Sequence, residues 1–186
     1  MAPDRILIIR HAEKPIAETE LKGIDEAGHD DPQSLSVRGW QRAGALARLF
    51  CPRSEAEFSG LVPDAIFAAG VGENSLSLRP QQTVVPLVTL LRESRPNLPF
   101  ITSHLNHQIA ALIADLSHRE GIILISWEHK LIPELVKHLP QRPDVPSNWP
   151  DDRYDLIWLL DRNGEGWTFR QVPQLLLSGD HDGLIM

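Results

Sequence analysis

Two runs of four consecutive branched aliphatic residues constrain this chain most: Ile6-Leu7-Ile8-Ile9 and Ile122-Ile123-Leu124-Ile125. A strand with no polar alternation is buried on both faces, and such strands belong to parallel sheets covered by helices. The sequence between and after them fits that picture. Apolar residues at helical spacing mark Arg38–Phe50, the stretch from Arg79 to Leu91, His107–Arg119 and the stretch from Leu131 to Leu139. Pro63–Ala69 and Pro99–Thr102 read as short strands between them. Tyr154–Leu160, the turn signal Asn163-Gly164 and the alternating Trp167–Val172 read as a returning hairpin. Strands alternating with helices predict an α/β fold. The expectation is a three-layer α/β/α sandwich with a mostly parallel central sheet and a C-terminal hairpin, one domain over residues 1–186.

Composition narrows the partners. With 18 Lys and Arg against 25 Asp and Glu, the formal charge is −7. A nucleic-acid or anionic-membrane surface needs broad positive potential, which such a chain lacks. The single cysteine, Cys51, excludes an internal disulfide. It reads as a packed helix-end residue. The apolar run behind Met1-Ala2-Pro3-Asp4-Arg5 is too short for a signal peptide or membrane span. A cytoplasmic protein is expected, with no nucleic-acid or membrane partner.

The chemistry gathers where the apolar strands stop. The first leads to Arg10-His11-Ala12-Glu13-Lys14, the second to Ser126-Trp127-Glu128-His129. In open α/β sheets ligands bind just beyond the carboxyl ends of the strands. In a parallel sheet both exits lie on one edge, so His11 and His129 meet there despite their distance in the chain. Arg79 opens a helix on the same edge, and helix N-termini direct N–H groups at anions. A fixed cation beside an imidazole suits a phosphoryl group: one holds the anion, the other attacks it. The long acidic loop over 12–34 and the proline-rich segment over 140–153 are expected to shape specificity.

These segments resemble the histidine phosphatase superfamily, the clan of phosphoglycerate mutases and histidine acid phosphatases. Four motifs carry the resemblance, in the family's order: Arg10-His11-Ala12, Leu35-Ser36-Val37-Arg38-Gly39-Trp40-Gln41-Arg42-Ala43, Arg79-Pro80-Gln81-Gln82-Thr83, and His129 after a late apolar strand. The resemblance implies a phosphoglycerate mutase-like fold and a small single-domain member. It implies a cofactor-free, metal-independent phosphatase in which His11 is transiently phosphorylated. Arg10 and Arg79 would hold the phosphoryl oxygens, and His129 would add a donor. Lys14 lies near a position where the acid-phosphatase branch has a second arginine. The substrate would be a small phosphorylated molecule or a phosphoprotein.

The chain departs from the family at the proton donor. Lys130 follows the second histidine where the acid-phosphatase branch has aspartate. The stretch Thr102-Ser103-His104-Leu105-Asn106-His107 lacks the glutamate of the mutase branch. Glu128 and Glu13 remain as candidates, although strand alternation would point Glu128 away from His129. A phosphohistidine or acyl phosphate, with its good leaving group, would relax the need for a donor. The same gap fits a binding module that senses a phospho-ligand without hydrolysing it. A metal site built from His11, His104, His107 and His129 is the weakest reading, because no third ligand with metal spacing accompanies His104 and His107. Trp127, beside His129, is a candidate to line the pocket.

Overall fold

The computed structural model describes residues 2–16, 22–53 and 59–186. Its elements in chain order are β1 (Arg5–Arg10), α1 (Val37–Phe50), β2 (Ala65–Ala68), α2 (Arg79–Arg92), β3 (Phe100–Ile101), α3 (Ile109–Leu116), β4 (Ile122–Trp127), α4 (Ile132–Lys137), β5 (Leu156–Asn163) and β6 (Gly166–Pro173). The strands form one sheet in the order β3-β2-β4-β1-β5-β6. β1 to β4 run parallel, and the β5–β6 hairpin adds antiparallel strands beside β1.

Alternation along the buried strands splits the core in two. Ile6, Ile8, Phe67, Ile123 and Ile125 pack with Leu112 and Leu116 of α3 and Leu135 and Val136 of α4. Leu7, Ile9, Ile66 and Leu124 pack on the other face with Leu46 and Phe50 of α1 and Leu87 and Leu91 of α2. The sheet is therefore the middle layer of three, an α/β/α sandwich. No helix among the described residues is long and apolar enough to cross a membrane.

Boundaries shift where local bonds compete with the pattern. β1 takes in Arg10, which pairs in register with Trp127 as β4 continues past its apolar run. The helix expected over His107–Arg119 spans only Ile109–Leu116. Ahead of it, the Gln108 side chain accepts from the Leu105 amide and its own amide donates to the Leu105 carbonyl, closing a turn instead. β5 begins at Leu156 rather than Tyr154.

The family-like segment at Ser36 has a geometric reason. Ser36 caps α1 by accepting from the Gly39 amide, while its own hydroxyl and amide donate to the Glu13 carbonyl. A Cβ on Gly39 would lie 2.5 Å from that carbonyl oxygen, so only glycine lets α1 approach the segment behind β1. Of the long loop expected over 12–34, residues 17–21 lie outside the described residues. The part from 22 on is pinned by Trp40 Nε1, which donates to the Ile24 carbonyl, and by Arg79 Nη1, which donates to the Pro32 carbonyl.

Candidate active site

The parallel strands release their chains at one edge. The His11 amide donates to the Trp127 carbonyl at 3.0 Å, which ties the exits of β1 and β4 together. Thr83, one turn into α2, joins them: its hydroxyl accepts from the Ala12 amide and donates to the Arg79 carbonyl. That link explains the Arg-x-x-x-Thr spacing. A cavity of about 150 Å³ opens at this edge, lined by His11, Lys14, Arg79, Glu128, His129 and Lys130, with Ser75, Ser77 and Asn106 among its walls.

His11 is buried, and its Nδ1 lies 2.7 Å from the Ala12 carbonyl. A carbonyl only accepts, so Nδ1 carries the proton and the lone pair is on Nε2. Burial, and then the cations of Arg10 and Arg79, push the His11 imidazole down to about 3. The ring is thus neutral and nucleophilic throughout the physiological range. This has a cost in acid. Between about 3 and 6.5 the unfolded chain takes a proton that the native ring refuses, so stability falls as pH falls through that window. The expected slope from this ring is roughly 1.4 kcal/mol per pH unit. Urea unfolding at pH 7 and pH 5 measures it; an identical pH dependence in wild type and His11→Gln would refute it.

Arg10 is fully buried. Its Nη1 donates to the carbonyls of Pro150, Asp151 and Arg153, and its guanidinium lies 3.7 Å over the Tyr154 ring. The Lys14 amide bonds to the Tyr154 hydroxyl. His129 is buried, with Nε2 2.5 Å from Asp151 Oδ1. Burial and then Arg10 push its imidazole down, against the opposing pull of Asp151. The proline-rich segment contributes no residue to the cavity wall; instead, through Asp151 and three carbonyls, it orients both Arg10 and His129. Asp151 and Tyr154 are absent from the residues the sequence singled out.

Five buried side-chain atoms at this edge have no hydrogen-bond partner among the described residues: Arg10 Nε and Nη2, Arg79 Nε, Ser77 Oγ and His129 Nδ1. Buried polar groups are ordinarily paired, and four of these atoms belong to types that donate. Such a concentration fits an oxyanion. It would take bonds from Arg79 and Ser77 in the cavity wall, and from Arg10 only when seated deep enough to meet that fully buried guanidinium, which does not line the cavity; its charge would favour the protonated His129, whose Nδ1 then donates.

The two candidate carboxylates part ways. β4 ends at Trp127, so the alternation expected to turn Glu128 away does not reach it, and Glu128 shares the cavity wall with His129. Glu13 faces elsewhere: Arg42 binds both its oxygens and Arg38 binds one. Trp127 is fully buried in the core rather than in the cavity wall, its Nε1 donating to the Asn106 carbonyl. His104 pairs with Asp115 at 3.0 Å, and His107 is exposed outside the cavity wall, so neither joins His11 and His129. Cys51 caps the end of α1, half-buried beside the core.

No family model matches the chain, and no curated protein matches it in sequence. Among solved structures it is similar to the alpha-ribazole phosphatase from Shigella flexneri, with 17% identity and a TM-score of 0.48 over 98% of this chain and 100% of the other. It is similar to the product of the open reading frame Rv3214 from Mycobacterium tuberculosis, with 14% identity and a TM-score of 0.47 over 92% of this chain and 97% of the other. It is also similar to a protein provisionally named the phosphohistidine phosphatase SixA from Agrobacterium tumefaciens, with 17% identity and a TM-score of 0.43 over 90% of this chain and 96% of the other. At these identities the likeness is one of fold.

Proposed function

We propose that this chain is a metal-independent phosphohydrolase that works through a phosphohistidine at His11. The observation that carries the reading is the cluster of unpartnered donors from Arg10, Arg79 and Ser77 around a neutral imidazole whose Nδ1 is already committed. In the first step Nε2 of His11 attacks phosphorus, and the bond to the leaving oxygen breaks. Arg10 and Arg79 hold the equatorial oxygens as charge spreads over them. His129, protonated once the anion is present, adds its Nδ1–H, and Lys14 supplies a further cation at the mouth. Glu128 gives its proton to the leaving oxygen. In the second step water attacks phosphorus, the P–N bond breaks, and Glu128 takes the proton back.

The place of Glu128 in the cavity wall favours an enzyme over a phospho-ligand sensor, because it offers the donor that a sensor would not need. Substrates are phosphomonoesters, or phosphohistidine and acyl phosphates, on a small molecule or a protein. The test is trapping. Incubation with a labelled aryl phosphate, quenched in alkali, should leave label on the protein that acid removes, as for a phosphoramidate. Phosphate release should persist in a chelator. Release without any protein-bound label at the earliest times would overturn the covalent mechanism.

A further inference from the structure

Resting on that reading, we infer that Asn106 is a positioning residue that sets the rotation of the Glu128 carboxyl for proton transfer. Asn106 Nδ2 donates to Glu128 Oε2 at 2.9 Å. Both residues stand in the wall of the cavity that holds His11 and His129. An amide nitrogen donates only, so it fixes Oε2 as the accepting oxygen and leaves Oε1 to carry and deliver the proton.

Asn106 is itself held from two sides through its backbone. Its carbonyl accepts from Trp127 Nε1 at 3.1 Å, and its amide donates to Ser75 Oγ at 3.4 Å. Ser75 in turn donates to the Gly70 carbonyl. The segment between β3 and α3 is thereby locked to the exits of β2 and β4, and the amide is delivered by rigid backbone rather than by a free loop. Two other carboxylates nearby are bound by a cation or an imidazole. Glu13 is held by Arg42, and Asp151 by His129. Glu128, the one carboxylate in this wall among the described residues, has a neutral amide as its partner, which orients the group without placing a charge beside it.

The experiment compares leaving groups. Proton donation matters for phenyl phosphate and hardly at all for 2,4-dinitrophenyl phosphate, whose phenolate departs unaided. Asn106→Ala keeps both backbone bonds and deletes only the amide. It should lower kcat/KM, which reports the phosphorylation step without the later hydrolysis in which Glu128 acts again, by about 10-fold or more for phenyl phosphate and by less than about 3-fold for the dinitrophenyl ester. Asn106→Asp, which is isosteric but cannot donate when ionised, should show the same selectivity. In a Glu128→Gln background, Asn106→Ala should cost nothing further. Equal losses on both esters, or additive losses in the double variant, would overturn the assignment to Asn106 while leaving the His11 mechanism standing. A wild-type protein that hydrolyses neither ester would instead remove phosphomonoester hydrolysis, and with it this role of Asn106.

Discussion

His11→Ala is expected to lower turnover of an aryl phosphate by at least about 10⁴-fold, the scale on which removal of an attacking group is felt. No neighbouring group can replace it. In the cavity wall, Ser75 donates its hydroxyl to the Gly70 carbonyl, and the Ser77 hydroxyl has no hydrogen-bonded base among the described residues to activate it. His129 holds Asp151 with Nε2, and its Nδ1 is the atom required to donate to the anion rather than attack it. Lys14 is exposed at the mouth. The loss should appear in kcat and not in folding. The backbone at residue 11 is held by the hydrogen bond its amide donates to the Trp127 carbonyl, which alanine retains, so circular dichroism should be unchanged. The protein-bound label should vanish with the turnover. Retention of more than about one part in a hundred of the wild-type rate would mean that another nucleophile, or activated water, attacks phosphorus.

Much of this site is legible in the sequence because parallel-sheet topology does the gathering. An apolar run fixes the direction of a buried strand, and the polar residues after it must emerge at a known edge. His11, His129 and Arg79 reach the same cavity by that argument alone. Legibility ends where placement depends on loops. Asp151 and Tyr154 lie in or beside a proline-rich segment with no periodicity, and their roles depend on the segment folding back over Arg10. Glu128 differs: β4 ends one residue before it, at Trp127, so strand alternation does not set its direction. Ser77 and Asn106 carry no sequence signal, since a lone serine in a polar loop and an asparagine before a short helix have many ordinary uses.

Arg42→Ala should cost roughly 3–5 kcal/mol of stability, because it removes the guanidinium around which the fold has buried two carboxylates, leaving Glu13 the partly exposed Arg38 and Asp180 two backbone amides. Arg42 is 2% exposed. Its Nε and Nη2 bind Glu13, and its Nη1 and Nη2 bind Asp180, with Gln174 Oε1 taking a further bond from Nη1. Burial alone would raise the Asp180 carboxyl, but Arg42 and the Leu177 and Leu176 amides outweigh it and hold the group at about 2. The pair therefore stabilises the fold above the ordinary carboxylate range, and that contribution is lost as pH falls from 3.8 towards 2. The cluster fastens three segments: the chain behind His11 through Glu13, helix α1 through Arg42, and the C-terminal tail through Asp180. For a chain of 186 residues the expected loss corresponds to a fall in Tm on the order of 10 °C. Arg42→Lys should recover only part of it, since an ammonium cannot present the fork that spans both carboxylates. Urea unfolding of the two variants at pH 7 decides the matter. If Arg42→Ala lies within about 1 kcal/mol of wild type, the carboxylates have found water, and the tail is not held to the active-site edge by this arginine.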